Sequence, residues 1–245
     1  MSNVNLITFP SADGQAILEA AWHLPTRRAT NGAVIVAHGA NNDKDYPLFP
    51  ALCDGAAALG LTAVRFDFRF RHGGEKAKVI DDLLGAYNFL DGFGKEIKPK
   101  RYYLIGKSLG GRAALMAISK GGPLAGEING VAVLGLPLHS PGTEQLYDQT
   151  FLEQLTCPVL FVVGERDPLG TPEELRPLLE RVPVSTQLEV IEKAGHSYEY
   201  IPAEGETPLS PEEAEAFHSA QLQKVVDITI KWLEEQDKIR EDLRK

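Results

Sequence analysis

The sequence predicts an α/β protein: a doubly wound, mostly parallel sheet with an N-terminal antiparallel hairpin and no large cap, built as a single domain over residues 1–245. Three observations predict it. Short apolar runs alternate with helical stretches along nearly the whole chain, the order of a sheet covered by helices. Several of those runs are unbroken Val, Ile, Leu and Phe, as strands buried on both faces are, rather than apolar–polar alternations. No internal repeat, low-complexity tract or Pro/Gly/Ser linker long enough to separate two domains interrupts the pattern.

In chain order, Val4 to Phe9 and Ala16 to His23 flank an Asp13-Gly14 turn signal and form the hairpin at one edge. Buried strands follow at Ala33 to Ala37, Thr62 to Phe66, Arg101 to Ile105, Gly130 to Leu134, Val159 to Val163 and Thr186 to Ile191. Helical patterns occupy Pro47 to Leu59, Val79 to Leu90, Gly111 to Ser119, Pro172 to Arg181 and Pro211 to Gln236. Thr171-Pro172-Glu173-Glu174 and Ser210-Pro211-Glu212-Glu213 each offer a capping hydroxyl, proline at the first helical position and glutamate three residues after the cap. The last helix sets Leu222, Val225, Val226, Thr229, Ile230 and Leu233 on one stripe that docks onto the sheet. Beyond it, Asp237 to Lys245 is mostly charged and reads as a solvated, fraying end.

Composition narrows the function. The 34 acidic residues outnumber 25 basic ones, and the net charge of −9 argues against a nucleic-acid groove or an anionic membrane surface as partner. Two cysteines, Cys53 and Cys157, are too few for a disulfide framework or a zinc cluster. Nothing near Met1 resembles a charged-then-apolar secretory signal, and no apolar run approaches the roughly 18 residues of a membrane span. The expectation is a cytoplasmic protein acting on a small molecule, with its oligomeric state left open.

The most informative segment is Tyr102-Tyr103-Leu104-Ile105-Gly106-Lys107-Ser108-Leu109-Gly110-Gly111-Arg112. A strand runs into Gly-x-Ser-x-Gly and then a helix, which is the context a nucleophile elbow needs. Ser108 must take a strained backbone conformation to lift its hydroxyl above the sheet, at about 1–3 kcal/mol. Side chains at 106 and 110 would collide with the turn and the neighbouring strand. A phosphate loop also ends in Gly-Lys-Ser, but it needs glycine at position 101, where Arg stands.

A serine nucleophile needs a base, and the base needs an orienting carboxylate. On such a sheet they follow in the order Ser, acid, His, on loops after late strands. Asp167 follows one strand in Gly164-Glu165-Arg166-Asp167-Pro168-Leu169-Gly170, and His196 follows the next in Ala194-Gly195-His196-Ser197. Glu165 is the alternative acid, less well placed before the Pro-Leu-Gly turn. His23 on the hairpin and His218 on the last helix read as surface or packing residues. His72 and His139 lie at the right edge but do not follow the acid, so they are candidate pocket residues. The oxyanion-hole N–H groups are assigned to Leu109 and, in His38-Gly39-Ala40-Asn41, to Ala40, with Asn41 as alternative and pocket candidate and His38 as structural.

With these motifs the chain resembles the α/β-hydrolase superfamily over nearly its whole length. More narrowly, it is similar to a compact group related to dienelactone hydrolases that also includes testis-expressed proteins and a subunit of a histone-acetyltransferase complex. The matching pieces are His38-Gly39-Ala40, Arg65-Phe66-Asp67-Phe68, Gly106 to Arg112, Leu136-Pro137-Leu138-His139-Ser140-Pro141-Gly142, Cys157-Pro158-Val159-Leu160-Phe161 and Arg166-Asp167-Pro168-Leu169-Gly170. Leu138 joins the candidate pocket residues with this stretch. True dienelactone hydrolases carry Cys as nucleophile, so Ser108 points instead toward carboxylesterase-like acyl transfer to water. Such a mechanism calls for no metal and no organic cofactor.

The 23 residues between Leu134 and Pro158 hold a loop and one short helix around Glu144 to Leu155, too little for a large cap. A shallow site and small or short-chain acyl esters follow. Arg69, Arg71 and His72 lie near the same edge, where they either attract an acidic substrate group or are simply solvated. A thioesterase or small peptidase using the same triad, or a catalytically silent interaction protein on this fold, are the other classes the sequence allows.

Overall fold

Alternate residues of the central strands are buried on opposite faces of one eight-stranded sheet, which is why their sequences run apolar without a break. The computed structural model describes residues 3–27, 29–92, 98–143 and 145–242. The strands are β1 (Asn3–Pro10), β2 (Ile17–Leu24), β3 (Gly32–Ala37), β4 (Thr62–Phe66), β5 (Arg101–Lys107), β6 (Gly130–Leu134), β7 (Val159–Gly164) and β8 (Thr186–Ile191). Their order across the sheet is β1-β2-β4-β3-β5-β6-β7-β8. The β1–β2 and β2–β4 pairs are antiparallel and all others parallel, so the hairpin forms one edge as predicted.

Among the described residues five α-helices pack around the sheet: α1 (Leu48–Ala58), α2 (Val79–Asp91), α3 (Leu109–Ile118), α4 (Pro172–Leu179) and α5 (Pro211–Asp242). On one face Ile35, Leu104, Val133 and Phe161 pack with Leu83 and Ala86 of α2 and Ala114 and Leu115 of α3. On the other, Val34, Tyr103, Ala132 and Leu160 pack with Leu52 of α1 and Val225 and Leu233 of α5. The capping box at Thr171 forms as its sequence predicts, with Glu174 N–H donating to Thr171 Oγ1 (3.3 Å) and Thr171 N–H to Glu174 Oε2 (2.8 Å). Ser210 and Glu213 make the same exchange at the start of α5.

Three expectations need correction. Helix α3 begins at Leu109, two residues earlier than its pattern suggests, because the turn at Ser108 delivers the chain directly into helical geometry. The helix expected around Glu144 to Leu155 is a single 3₁₀ turn over Thr150–Gln154, with residue 144 outside the described residues. Helix α5 continues to Asp242, and Asp237 is not solvated: it is buried against Arg101 (Nε to Oδ1, 2.6 Å) and accepts the Tyr103 hydroxyl (3.1 Å). Residues 243–245 of the predicted fraying end lie outside the described residues. Among the described residues no helix is long and apolar enough to cross a membrane.

The topology positions the site. Strand β3 has β4 on one side and β5 on the other, so the chain turns opposite ways beyond it, and a crevice opens at the carboxyl ends of the parallel strands. The segments after β3, β5, β7 and β8 carry Ala40, Ser108, Asp167 and His196 respectively.

Candidate active site

Ser108 sits between the end of β5 and the start of α3 with φ 52° and ψ −115°, one of few non-glycine residues at positive φ. Its N–H donates to the Leu134 carbonyl (3.0 Å) and its own carbonyl accepts from Arg112 N–H (3.0 Å), so both flanking elements hold the strained turn in place. Glycine is required on each side by close approach. A Cβ at Gly106 would lie 2.5 Å from Gly111 Cα, and one at Gly110 would lie 2.5 Å from the Ala37 carbonyl oxygen.

Three predicted residues come together around this turn. Asp167 Oδ2 accepts from His196 Nδ1 (2.8 Å), and His196 Nε2 lies 2.9 Å from Ser108 Oγ. A carboxylate can only accept here, so Nδ1 carries the ring proton and Nε2 is left to accept the serine O–H. Asp167 is fully buried, and its other oxygen accepts from Leu169 N–H (2.9 Å), which fixes the carboxylate plane. Glu165 points elsewhere: its Oε2 accepts Lys193 N–H (2.7 Å) on the exposed rim. Among the described residues, the N–H groups of Leu109 and Ala40 have no acceptor, and both residues line the cavity that holds Ser108.

The supports around these residues are polar side chains, buried or half-buried. His38 accepts Phe68 N–H at Nε2 (3.1 Å), so its Nδ1–H donates to the Gly39 carbonyl (2.6 Å), and burial pushes its pKa down. It braces the loop that ends in Ala40, as its structural assignment requires. His218, read as packing or surface, reaches across from α5 and donates to the Ser197 carbonyl (3.0 Å). Buried His23 bonds Asp54 and Arg65 in the hairpin's packing.

The cavity has a volume of about 660 Å³ and includes Asn41 and His139 from the candidate pocket set. Arg71, His72 and Leu138 are not part of it. Leu138 faces the core, fully buried; Arg71 lies 3.8 Å from Asp43, and His72 is 4.0 Å from Asp67. Arg69, placed on the same loop, is buried in ion pairs with Asp82 and Asp13 and serves the fold rather than the cavity. The cations that line the cavity are Lys76, Lys107 and Arg112. Sequence reasoning misses Arg112, although it lies four residues after Ser108, a helical spacing that returns a side chain to the same face. It bonds the Asp148 carbonyl and Gln149 Oε1 (3.3 Å) and stacks on Phe151, its guanidinium 4.9 Å from the ring centre, tying the β6–β7 connection to α3. Ligand-type atoms of Glu19, Asp67 and His72 also lie within 4.8 Å of one another, outside this cavity. There the Lys44 ammonium already supplies a cation, 2.8 Å from Asp67 and 3.8 Å from Glu19.

Comparison with known proteins agrees with this fold. A family model described as an alpha/beta hydrolase domain matches residues 30–226. A search of curated proteins returned no match. Among solved structures, the chain is similar to an alpha-beta serine hydrolase homologue from Coxiella burnetii, at 15% identity and TM-score 0.70, covering 95% of this chain and 98% of that one. It is similar to a dienelactone hydrolase from Anabaena variabilis at 20% identity and TM-score 0.68, covering 94% and 96%. A serine hydrolase without a lid from Xanthomonas campestris aligns at 19% identity and TM-score 0.61, covering 80% and 87%.

Proposed function

The chain belongs to the α/β-hydrolase family, and we propose that within it the protein is a serine carboxylesterase for small or short-chain esters. The observation that carries this reading is the unbroken relay from Asp167 through His196 to Ser108, at 2.8 and 2.9 Å, beneath an open cavity. His196 takes the Ser108 proton as Oγ attacks the ester carbonyl. Asp167 holds the imidazole in the required tautomer and stabilises the imidazolium. The free N–H groups of Leu109 and Ala40 receive the oxyanion, aided by the N-terminal end of α3. His196 then protonates the leaving alcohol, and water repeats the sequence to free the acid.

What stands above the serine limits substrate size. The only helical piece between β6 and β7 among the described residues is the 3₁₀ turn over Thr150–Gln154, which leaves the cavity open. The lidless Xanthomonas relative supports the same picture. A net charge of −9 favours a small-molecule partner over a nucleic acid or an anionic membrane.

The test is Ser108→Ala with short p-nitrophenyl esters and a fluorophosphonate label. Loss of labelling and at least about 10³-fold loss of hydrolysis in a folded protein is expected, with residual rate from the oxyanion hole. An alanine variant as active as the native protein overturns the assignment. Thioester and amide substrates in the same assay decide between esterase, thioesterase and peptidase, and a native protein that neither labels nor hydrolyses any of them is a silent scaffold.

A further inference from the structure

Lys107 stands between Gly106 and Ser108, and the hydrolytic scheme gives it no task. Its side chain is 1% exposed, although lysine is almost never fully buried unless paired. Among the described residues no carboxylate lies within 4.0 Å of its ammonium. Nζ instead donates to the carbonyl oxygen of His196 (2.8 Å) and lies 5.5 Å from the centre of the Tyr198 ring. The charged and titratable groups around it are Asp167 from the loop after β7, and His196, Tyr198 and Glu199 from the loop after β8. Burial pushes its pKa down to about 8, with Asp167 and Glu199 acting in the opposite direction.

The neighbouring bolts on this loop act on other residues: the Tyr198 hydroxyl donates to the Val162 carbonyl (3.1 Å), and His218 holds Ser197. Lys107 grips the main chain of the base itself, and it does so from the residue adjoining the nucleophile. A methionine or leucine would fill the same space without an ammonium to desolvate. We propose that Lys107 is the positioning residue for His196, its buried ammonium tying the His196 carbonyl to the strand end that carries Ser108 so that base and nucleophile stay in register. This rests on the reading of Ser108, His196 and Asp167 as the working triad. A charge-assisted hydrogen bond is roughly twice as strong as a neutral one, so the tie is firmest while Lys107 is protonated. Misplacing a reacting group by about 1 Å can reduce a rate by about 10²-fold.

The experiment compares native protein, Lys107→Met and Ser108→Ala on a short p-nitrophenyl ester. Methionine keeps the volume and removes both donor and charge. Its kcat is expected to fall about 10- to 100-fold, with KM changed less than about threefold, because the ammonium is bonded to the His196 carbonyl and acts on the alignment of the base. Native kcat is expected to fall through a step near pH 8 as the ammonium deprotonates, a step absent from Lys107→Met. Lys107→Leu, which also lacks donor and charge, serves where the methionine variant does not fold, and the native profile from pH 7 to 10 needs no variant. Unchanged kcat in a folded variant, or a native profile with no step near pH 8, overturns the proposal. An inactive Ser108→Ala beside a fully active Lys107→Met rejects the role of Lys107 alone, whereas an active Ser108→Ala rejects the triad reading with it.

Discussion

Arg101 opens strand β5 and Lys107 closes it, and both cations are buried, at 4% and 1% exposure. The guanidinium is matched: Nε and Nη2 bond the two oxygens of Asp237 at 2.6 and 3.1 Å, and Tyr103 adds its hydroxyl to the same carboxylate. The ammonium at the other end bonds a carbonyl oxygen, with the nearby carboxylates beyond ion-pair reach. A buried charge with a bidentate counter-ion locks α5 to the sheet. A buried charge without one is tolerated where the rest of the strand end also stores strain, in the φ of Ser108. One end of the strand is built for stability, and the other holds the strained turn of the proposed nucleophile.

The largest effect should come from the chemical end. Asp167→Asn keeps the shape but offers an amide where a carboxylate fixes the tautomer, and kcat should drop by about 10⁴-fold with the melting temperature little changed. Glu165→Gln, on the rim, should change kcat far less, measured in the same ester assay. A reversed pair of effects would make Glu165 the acid; equal small effects would leave a Ser–His dyad.

At the structural end the pattern inverts. Asp237→Ala strands the Arg101 guanidinium and should lower unfolding free energy by about 3–5 kcal/mol, read from urea denaturation, while kcat of the folded protein is unchanged. A loss under about 1 kcal/mol would break the contrast between the two ends of β5.

Lys107 should also mark the stability–pH curve. Below pH 8 folded and unfolded chains both hold its proton, and folding bears the full burial penalty. Between the folded value near 8 and the ordinary 10.5 the unfolded chain binds more protons, so stability rises with pH. Above 10.5 both forms are neutral and the penalty is gone. The gain across that window should be about 3 kcal/mol, seen as the difference between native protein and Lys107→Met in denaturation at pH 7.5 and 10.5. Parallel curves for the two proteins would mean that the ammonium is not desolvated.

The smallest effect concerns the cavity at the Lys107 end of the strand. Rates should peak for acyl groups of two to about six carbons and decline for longer chains, measured across a p-nitrophenyl ester series. A preference for long chains would require a closed, apolar tunnel that the open cavity does not provide.

Much of the site was legible because strand–turn–helix geometry imposes residue types locally. Gly106 and Gly110 are needed by contacts within a few residues and with an adjacent strand, and the order Ser108, Asp167, His196 follows from successive strands delivering their loops to one edge. The pocket was less legible. Arg71 and His72 have the same composition signal as true pocket cations, but Asp43 and Asp67, brought in by the fold, lie beside them. Leu138 sits in a segment with one residue facing the core and the next, His139, lining the cavity.

The sequence by itself determined what depends on local sterics and periodicity: the alternation of strands and helices, the capping boxes at Thr171 and Ser210, the elbow, and the loops that carry acid and base. Tertiary structure alone decided what depends on partners far apart in the chain. It buried Asp237 against Arg101, 136 residues away, and turned a segment that reads as a solvated tail into a clamp. It set Lys107 under the His196 carbonyl, 89 residues away, and it left Arg112 rather than the Arg69–His72 loop facing the cavity. Charges look alike in a sequence; whether each is paired, solvated or left with a single carbonyl depends on which long-range surfaces meet, because electrostatic energy is set by distance and burial rather than by residue type.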